Sequence, residues 1–170
     1  MKLSLIDLPA GANFFEVTIN SIQNLWERMK DFDPLFSDNA RWDQQKFIDR
    51  ILNRNTVILE VENGIMFLSE IIDNHYAQVH ACFWDHKLSA RVNLLKETIF
   101  WAFNAFNLVR LEAIVPDFSR GLKRFLEHKL MFVFEGRLRK RMFYHGIYED
   151  IVIYSLLKSE LNKLGECYGR

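Results

Sequence analysis

The apolar residues of this chain run at helical spacing first, then alternate, then do each in turn. Residues 2–8 alternate loosely and predict an opening strand, stopped by Pro9 and Gly11. From Ile19 to Phe32, the positions Ile22, Leu25, Trp26 and Met29 fall on one side of a helix that Asp33-Pro34 ends. Asp38 or Asn39 caps a second helix, with Trp42, Phe47, Ile48, Ile51 and Leu52 on its apolar side and Asn53-Arg54-Asn55 as its exit. The period then switches. Thr56–Val61, Ile65–Ile72 and Tyr76–Trp84 predict an antiparallel meander, turned by Glu62-Asn63-Gly64 and Asp73-Asn74-His75.

Residues 88–106 predict the longest helix, with Leu88, Val92, Leu95, Ile99, Ala102, Phe103 and Phe106 at helical spacing. Val109–Val115 reads as a near-continuous apolar strand closed by Pro116. Ser119 then caps a short helix whose apolar face is Leu122, Phe125, Leu126 and Leu130. Phe132–Tyr144 and Ile147–Leu157 predict two long strands about a tight turn at His145-Gly146, and residues 158–170 a polar tail in a short, fraying helix. One strand–helix–strand unit therefore sits inside an otherwise antiparallel mixed sheet. That is an α+β fold with helices on both faces, in a single domain over residues 1–170.

Composition narrows the function classes. The 170 residues are 49% hydrophobic and 26% charged, as in a folded domain. Lysine plus arginine (22) balances aspartate plus glutamate (22), which argues against a dedicated nucleic-acid binder and leaves little repulsion between copies. A protein partner or self-association is the expectation. Aromatic residues reach 14%, and Phe14, Phe15, Trp42, Phe143, Tyr144, Tyr148 and Tyr154 suggest a contact patch. No stretch approaches the length of a membrane span. Cys82 and Cys167 form no disulfide framework, so a reducing, cytoplasmic setting is expected.

Three stretches carry a resemblance. Phe106-Asn107-Leu108-Val109-Arg110-Leu111-Glu112-Ala113 is one. Phe125-Leu126-Glu127-His128-Lys129-Leu130-Met131-Phe132, running on to Glu135-Gly136-Arg137-Leu138-Arg139, is the second. The third is the closing set Gly146, Asp150, Tyr154, Leu157 and Glu160. Together they resemble the GNAT superfamily of N-acetyltransferases, in its ribosomal-protein N-terminal acetyltransferase branch. The resemblance covers residues 55–160 and is most specific in the last third. It implies that the third meander strand and the central strand splay apart, that acetyl-CoA lies in the gap, and that its pyrophosphate rests on N–H groups at the start of the long helix.

The sequence departs from that pattern at the same places. The family loop Q/R-x-x-G-x-G/A falls on His86, Lys87, Leu88, Ser89, Ala90 and Arg91, so the glycines are lost. Arg91 either pairs with a phosphate or is a solvated helix-start residue. The asparagine and serine expected on the following helix fall on Arg120 and Lys123, and the glycine before Phe132 is Met131. The usual glutamate and tyrosine of the acid–base pair are missing. Gln78, His80 and Cys82 alternate onto one strand face, and His80 is the candidate base. His75, His80, Cys82 and His86 match no zinc spacing, so no metal is assigned. Alternation would put Arg137, Arg139 and Arg141 on one face, balanced by Glu149 and Asp150. These departures predict a degenerate, non-catalytic GNAT-like protein acting in binding or assembly, similar to divergent bacteriophage proteins, some of them virion-associated. The alternative is an acetyl-CoA-dependent N-acetyltransferase using the loop 86–91, Arg120 and Lys123 for the cofactor, His80 or a water as base, and the Val79–Phe83 backbone to hold the thioester.

Overall fold

A computed structural model describes residues 7–30, 44–85 and 88–166, with only the backbone described at 88, 89, 165 and 166. The order is β1 (Ala12–Phe14), α1 (Ile19–Met29), α2 (Gln44–Ile51), β2 (Val57–Val61), β3 (Gly64–Ile72), β4 (Tyr76–Phe83), a 3-10 turn (Leu88–Arg91) leading into α3 (Val92–Ala105), β5 (Arg110–Pro116), α4 (Arg120–Lys129), β6 (Val133–Tyr144), β7 (Ile147–Leu157) and, after a second 3-10 turn, α5 (Leu161–Glu166). The strands form one seven-stranded sheet in the order β1-β2-β3-β4-β5-β7-β6. Every neighbouring pair is antiparallel except β4 with β5.

Local chemistry places most of these elements. Thr18 caps α1, accepting from Ser21 N at 3.1 Å while its own N–H donates to Ser21 Oγ at 2.8 Å. Asn63, Asn74, His145 and Gly146 hold the positive φ that tight strand connections need. At Gly64 a Cβ would stand 2.5 Å from Cys82 O, so β3 and β4 come together only over a bare backbone. Met131 keeps φ +58, the left-handed conformation that a glycine would adopt freely.

The sheet is covered on both faces. On one side α3, α4 and α5 enclose Leu59, Met66, Ala77, Phe103, Leu111 and Leu156 with their neighbours. On the other, α1 and α2 bring Leu25, Trp26, Met29 and Phe47 onto Ile58, Ile65 and Cys82.

Several expectations need correction. The first described strand is Ala12–Phe14, beyond the Gly11 turn (Ala12 N donates to Pro9 O, 3.0 Å), while Asp7 and Leu8 are not strand; residues 1–6 lie outside the described ones. So do Asp33-Pro34, Asp38, Asn39, Trp42, His86, Lys87 and Cys167. Leu52 is 56% exposed because α2 ends at Ile51. The tail does hold the expected short helix, α5, but it is anchored: Leu164 is fully buried, and its carbonyl accepts from Lys96 Nζ at 3.3 Å. The aromatic patch is divided, since Phe15 and Tyr154 are core residues while Phe143 packs on Tyr148 in the distal hairpin. In β6 the arginine alternation breaks at a bulge between Leu138 and Met142, where Lys140 has φ +54. Arg137 goes to Asp117 (2.9 Å) and Asp150 (3.9 Å), whereas Leu138 and Arg141 both reach the cavity described below.

Candidate active site

The parallel seam between β4 and β5 is short. It joins Tyr76 to Arg110, Ala77 to Leu111 and Gln78 to Glu112, and beyond these no ladder pair connects the two strands. His75 O accepts from Val109 N (2.8 Å) and Arg110 N (3.0 Å), so the main chain of His75 faces β5. At the far end Trp84 N donates to Asn63 O at 2.7 Å, toward β3. Main-chain direction alternates along a strand. Ala77, Val79, Ala81 and Phe83 therefore turn their N–H and C=O groups toward β5, and past the seam Ala81 faces the opening.

On the α1–α2 face the strands line up a polar row. Gln78 Nε2 donates to Tyr76 Oη (2.7 Å) and to Glu70 (3.3 Å), and Tyr76 Oη donates to Glu112 (2.9 Å). Arg110 bridges Glu112 (3.0 Å) and Glu135 (2.9 Å), and Ser155 Oγ donates to Glu135. Burial pushes the Tyr76 hydroxyl up to about 12. On the opposite face Tyr154 donates to Glu127 at 2.7 Å, and burial, then that carboxylate, raise it to about 12 as well.

Gln78 and His80 open into a cavity of about 440 Å3 between this face and the N-terminal helices. Its walls include Met29, Phe47, Phe67, Ile114 and Met142, with Arg50 and Arg141 from opposite sides. The His80 ring stacks on Phe67 with centroids 4.6 Å apart. Its Nε2 lies 3.0 Å from Ser69 Oγ and 3.3 Å from Arg50 Nη2. A guanidinium only donates, so Nε2 is the acceptor and the ring proton sits on Nδ1. Burial, then Arg50, push His80 down to about 3. It is a neutral imidazole, and a weak base.

That depression has a stability consequence. The unfolded chain takes up a proton at His80 near the ordinary value of about 6.5, which the native state refuses until about 3. Stability therefore falls as the pH drops through that window, by up to about 1.4 kcal/mol per unit. His80→Gln, which keeps an acceptor for Arg50, loses less than wild type between about pH 7 and about pH 4 in urea unfolding. Equal losses would mean that the unfolded state does not out-compete the native one for this proton.

The other expected site residues are dispersed or already engaged. Arg91 Nη2 pairs with Asp85 (3.1 Å), Nη1 reaches Glu62 (3.5 Å), and the guanidinium sits over the Phe83 ring at 5.7 Å. It is drawn onto Asp85 and the Phe83 ring and is not solvated, and among the described residues its Nε is buried without a hydrogen bond. Ala90 lies in the 3-10 turn with Leu88 and Ser89, whose side chains are outside the description. Lys123 is held by Asp117 at 2.6 Å, and Arg120 is exposed at the start of α4. Burial pushes the Cys82 thiol up to about 12, so it is not a nucleophile. Among the described residues, no three histidine, cysteine or acidic side chains gather as a metal site. Sequence reading missed Arg50 and Ser69, and named Arg141 only as part of a basic strand face. Arg50 alone carried a signal: a charge three residues after Phe47, on the edge of the apolar stripe.

No protein-family profile matches the chain, and no curated protein does. Solved structures do. The spermidine/spermine N-acetyltransferase SpeG of Vibrio cholerae aligns with a TM-score of 0.73 at 16% identity, over 92% of this chain and 99% of that one. A chimera of that enzyme with hSSAT gives 0.70 at 17%, over 91% and 99%. A probable acetyltransferase gives 0.67 at 17%, over 91% and 97%. The fold is the GNAT fold, in a mixed, mostly antiparallel sheet covered on both faces. These likenesses overturn the expectation of a non-catalytic binding or assembly component, because the whole-chain matches are to acetyltransferases. No helix among the described residues is long and apolar enough to cross a membrane.

Proposed function

We propose that the chain is an acetyl-CoA-dependent N-acetyltransferase, moving an acetyl group to an amine. The observation that carries the reading is the parting of β4 and β5 after Gln78 and Glu112, which leaves the β4 edge open beside a cavity. An open strand edge accepts an extended amide-bearing ligand as another strand would. Bound there, acetyl-CoA would supply an activated acyl carbon and a thiolate leaving group.

The residues present fit such a ligand. The start of α3 carries N–H groups of the kind that hold phosphates, and its N-cap residue, Arg91, makes no side-chain cap bond. Arg91, the N-cap residue of that helix, keeps a buried Nε without an acceptor among the described residues, a donor still open to an anion. Past the seam, the Ala81 N–H is the donor for negative charge gathering on the carbonyl oxygen of the acyl group. His80 serves as a neutral, hydrogen-bonding wall of the acceptor cavity. Arg50 beside it lowers the pKa of any ammonium that enters, which favours the uncharged, nucleophilic amine.

Calorimetric titration with acetyl-CoA and with CoA tests the reading, followed by a thiol-release assay over a panel of amines. Micromolar binding and amine-dependent thiol release are the expected results. No binding of either ligand at millimolar concentration ends the transferase reading.

A further inference from the structure

We infer that the acceptor taken by the cavity is an amine whose apolar body also carries an anionic group, in the simplest case a carboxylate, and that it is not a polyamine. The inference rests on the transferase reading and names the substrate class of the same site.

The cavity wall is the observation. Among the described residues its charged members are Arg50 and Arg141, and no aspartate or glutamate lines it. Its other polar members are Thr56, Gln78 and His80, all uncharged. Elsewhere Arg91, Arg110 and Arg137 each hold a carboxylate within 3.1 Å. Arg50 does not. Among the described residues its hydrogen-bond partner is the neutral His80 Nε2, at 3.3 Å, and its ring contact is Phe67, at 5.8 Å. The carboxylate that it feels, Glu70, accepts from Gln78 and lies outside the cavity wall. Arg141 forms no ion pair among the described residues. Burial already costs the Arg50 cation solvation, and an arriving anion would compensate it.

Size and polarity agree. About 440 Å3 is the volume of a small-molecule site. Phe47, Phe67, Met29, Ile58 and Met142 give its body an apolar, partly aromatic lining. A carboxylate on a guanidinium is a strong, geometrically specific pair. A polyamine would bring several positive charges to two arginines with no carboxylate among the described wall residues to hold them, and like-charge contact of that kind rejects a ligand. The chain thus shares its fold with enzymes described as spermidine acetyltransferases while its cavity carries the opposite charge preference.

Binding of three probes to the full chain tests this: L-phenylalanine, 2-phenylethylamine, which differs by lacking the carboxylate, and spermidine. L-Phenylalanine should bind at least about tenfold tighter than 2-phenylethylamine, with spermidine weakest. Arg50→Gln and Arg141→Met should each shrink that preference toward one. Arg141 is exposed, so its variant tests the idea even if Arg50→Gln unfolds, and urea midpoints check both. The inference is overturned if 2-phenylethylamine or spermidine binds as tightly as L-phenylalanine, if none of the three binds, or if the preference survives both substitutions. The acetyl-CoA titration reads the transferase assignment separately. A carboxylate preference without acetyl-CoA binding would leave the anion site standing and remove the transferase.

Discussion

Ala81→Pro should lower the rate of acetyl transfer by about 100- to 1,000-fold, the usual cost of deleting one donor to a developing oxyanion. The substitution removes a single N–H. That N–H faces the gap past the Gln78–Glu112 pair, so no ladder bond between β3 and β4 is lost with it. Proline is tolerated where a strand has no neighbour to donate to. Far-UV circular dichroism and the urea midpoint should therefore change little, and CoA should bind nearly as before. The rate should fall with KM for acetyl-CoA close to unchanged, because the lost bond matters most when charge builds up. A folded variant within a few-fold of wild type would mean that another group carries the charge.

Phe103→Ala should cost about 3–5 kcal/mol, out of the roughly 5–15 kcal/mol typical of a whole domain. Phe103 is fully buried on α3, in the cluster that runs beneath both halves of the sheet. Close packing leaves its neighbours little freedom to fill the hole. The check is a lower urea midpoint with an unchanged slope. A loss under about 1 kcal/mol would mean that the cluster repacks around the gap.

The fold was legible wherever turn chemistry and period agreed. The Asn63 and Asn74 turns fixed the meander, and His145-Gly146 fixed the last hairpin. Gln78, His80 and Cys82 do share a face, as alternation requires, since the first two line the cavity and Cys82 belongs to the α1–α2 cluster. What failed depended on distant partners. β1 is three residues long and exists by pairing with Leu59–Val61. The β6 bulge sits in a run of basic residues with no glycine to announce it. Leu161 and Leu164 are two apolar residues in a polar tail, and only the completed core shows where Leu164 docks. Arg50 and Arg141 come from elements far apart in the chain, so no local pattern could join them. The non-catalytic expectation gave too much weight to side chains lost from one loop. Backbone groups do much of the work proposed for this fold, and substitutions leave those in place.

The narrow seam also makes a statement about motion. Strands β1–β4 form one half of the sheet and β5–β7 the other, and only three ladder pairs bind them. On one face the halves share a continuous apolar cluster through Ala77 and Leu111; on the other they share the Tyr76–Glu112 hydrogen bond. Native-state hydrogen exchange should then resolve two cooperative units, with amides inside β2–β3 protected as one, those inside β5–β7 as the other, and those along the seam opening at lower free energy. The sheet should then move as a pair of tongs pivoted on the core beneath α3, opening where ligand is proposed to enter.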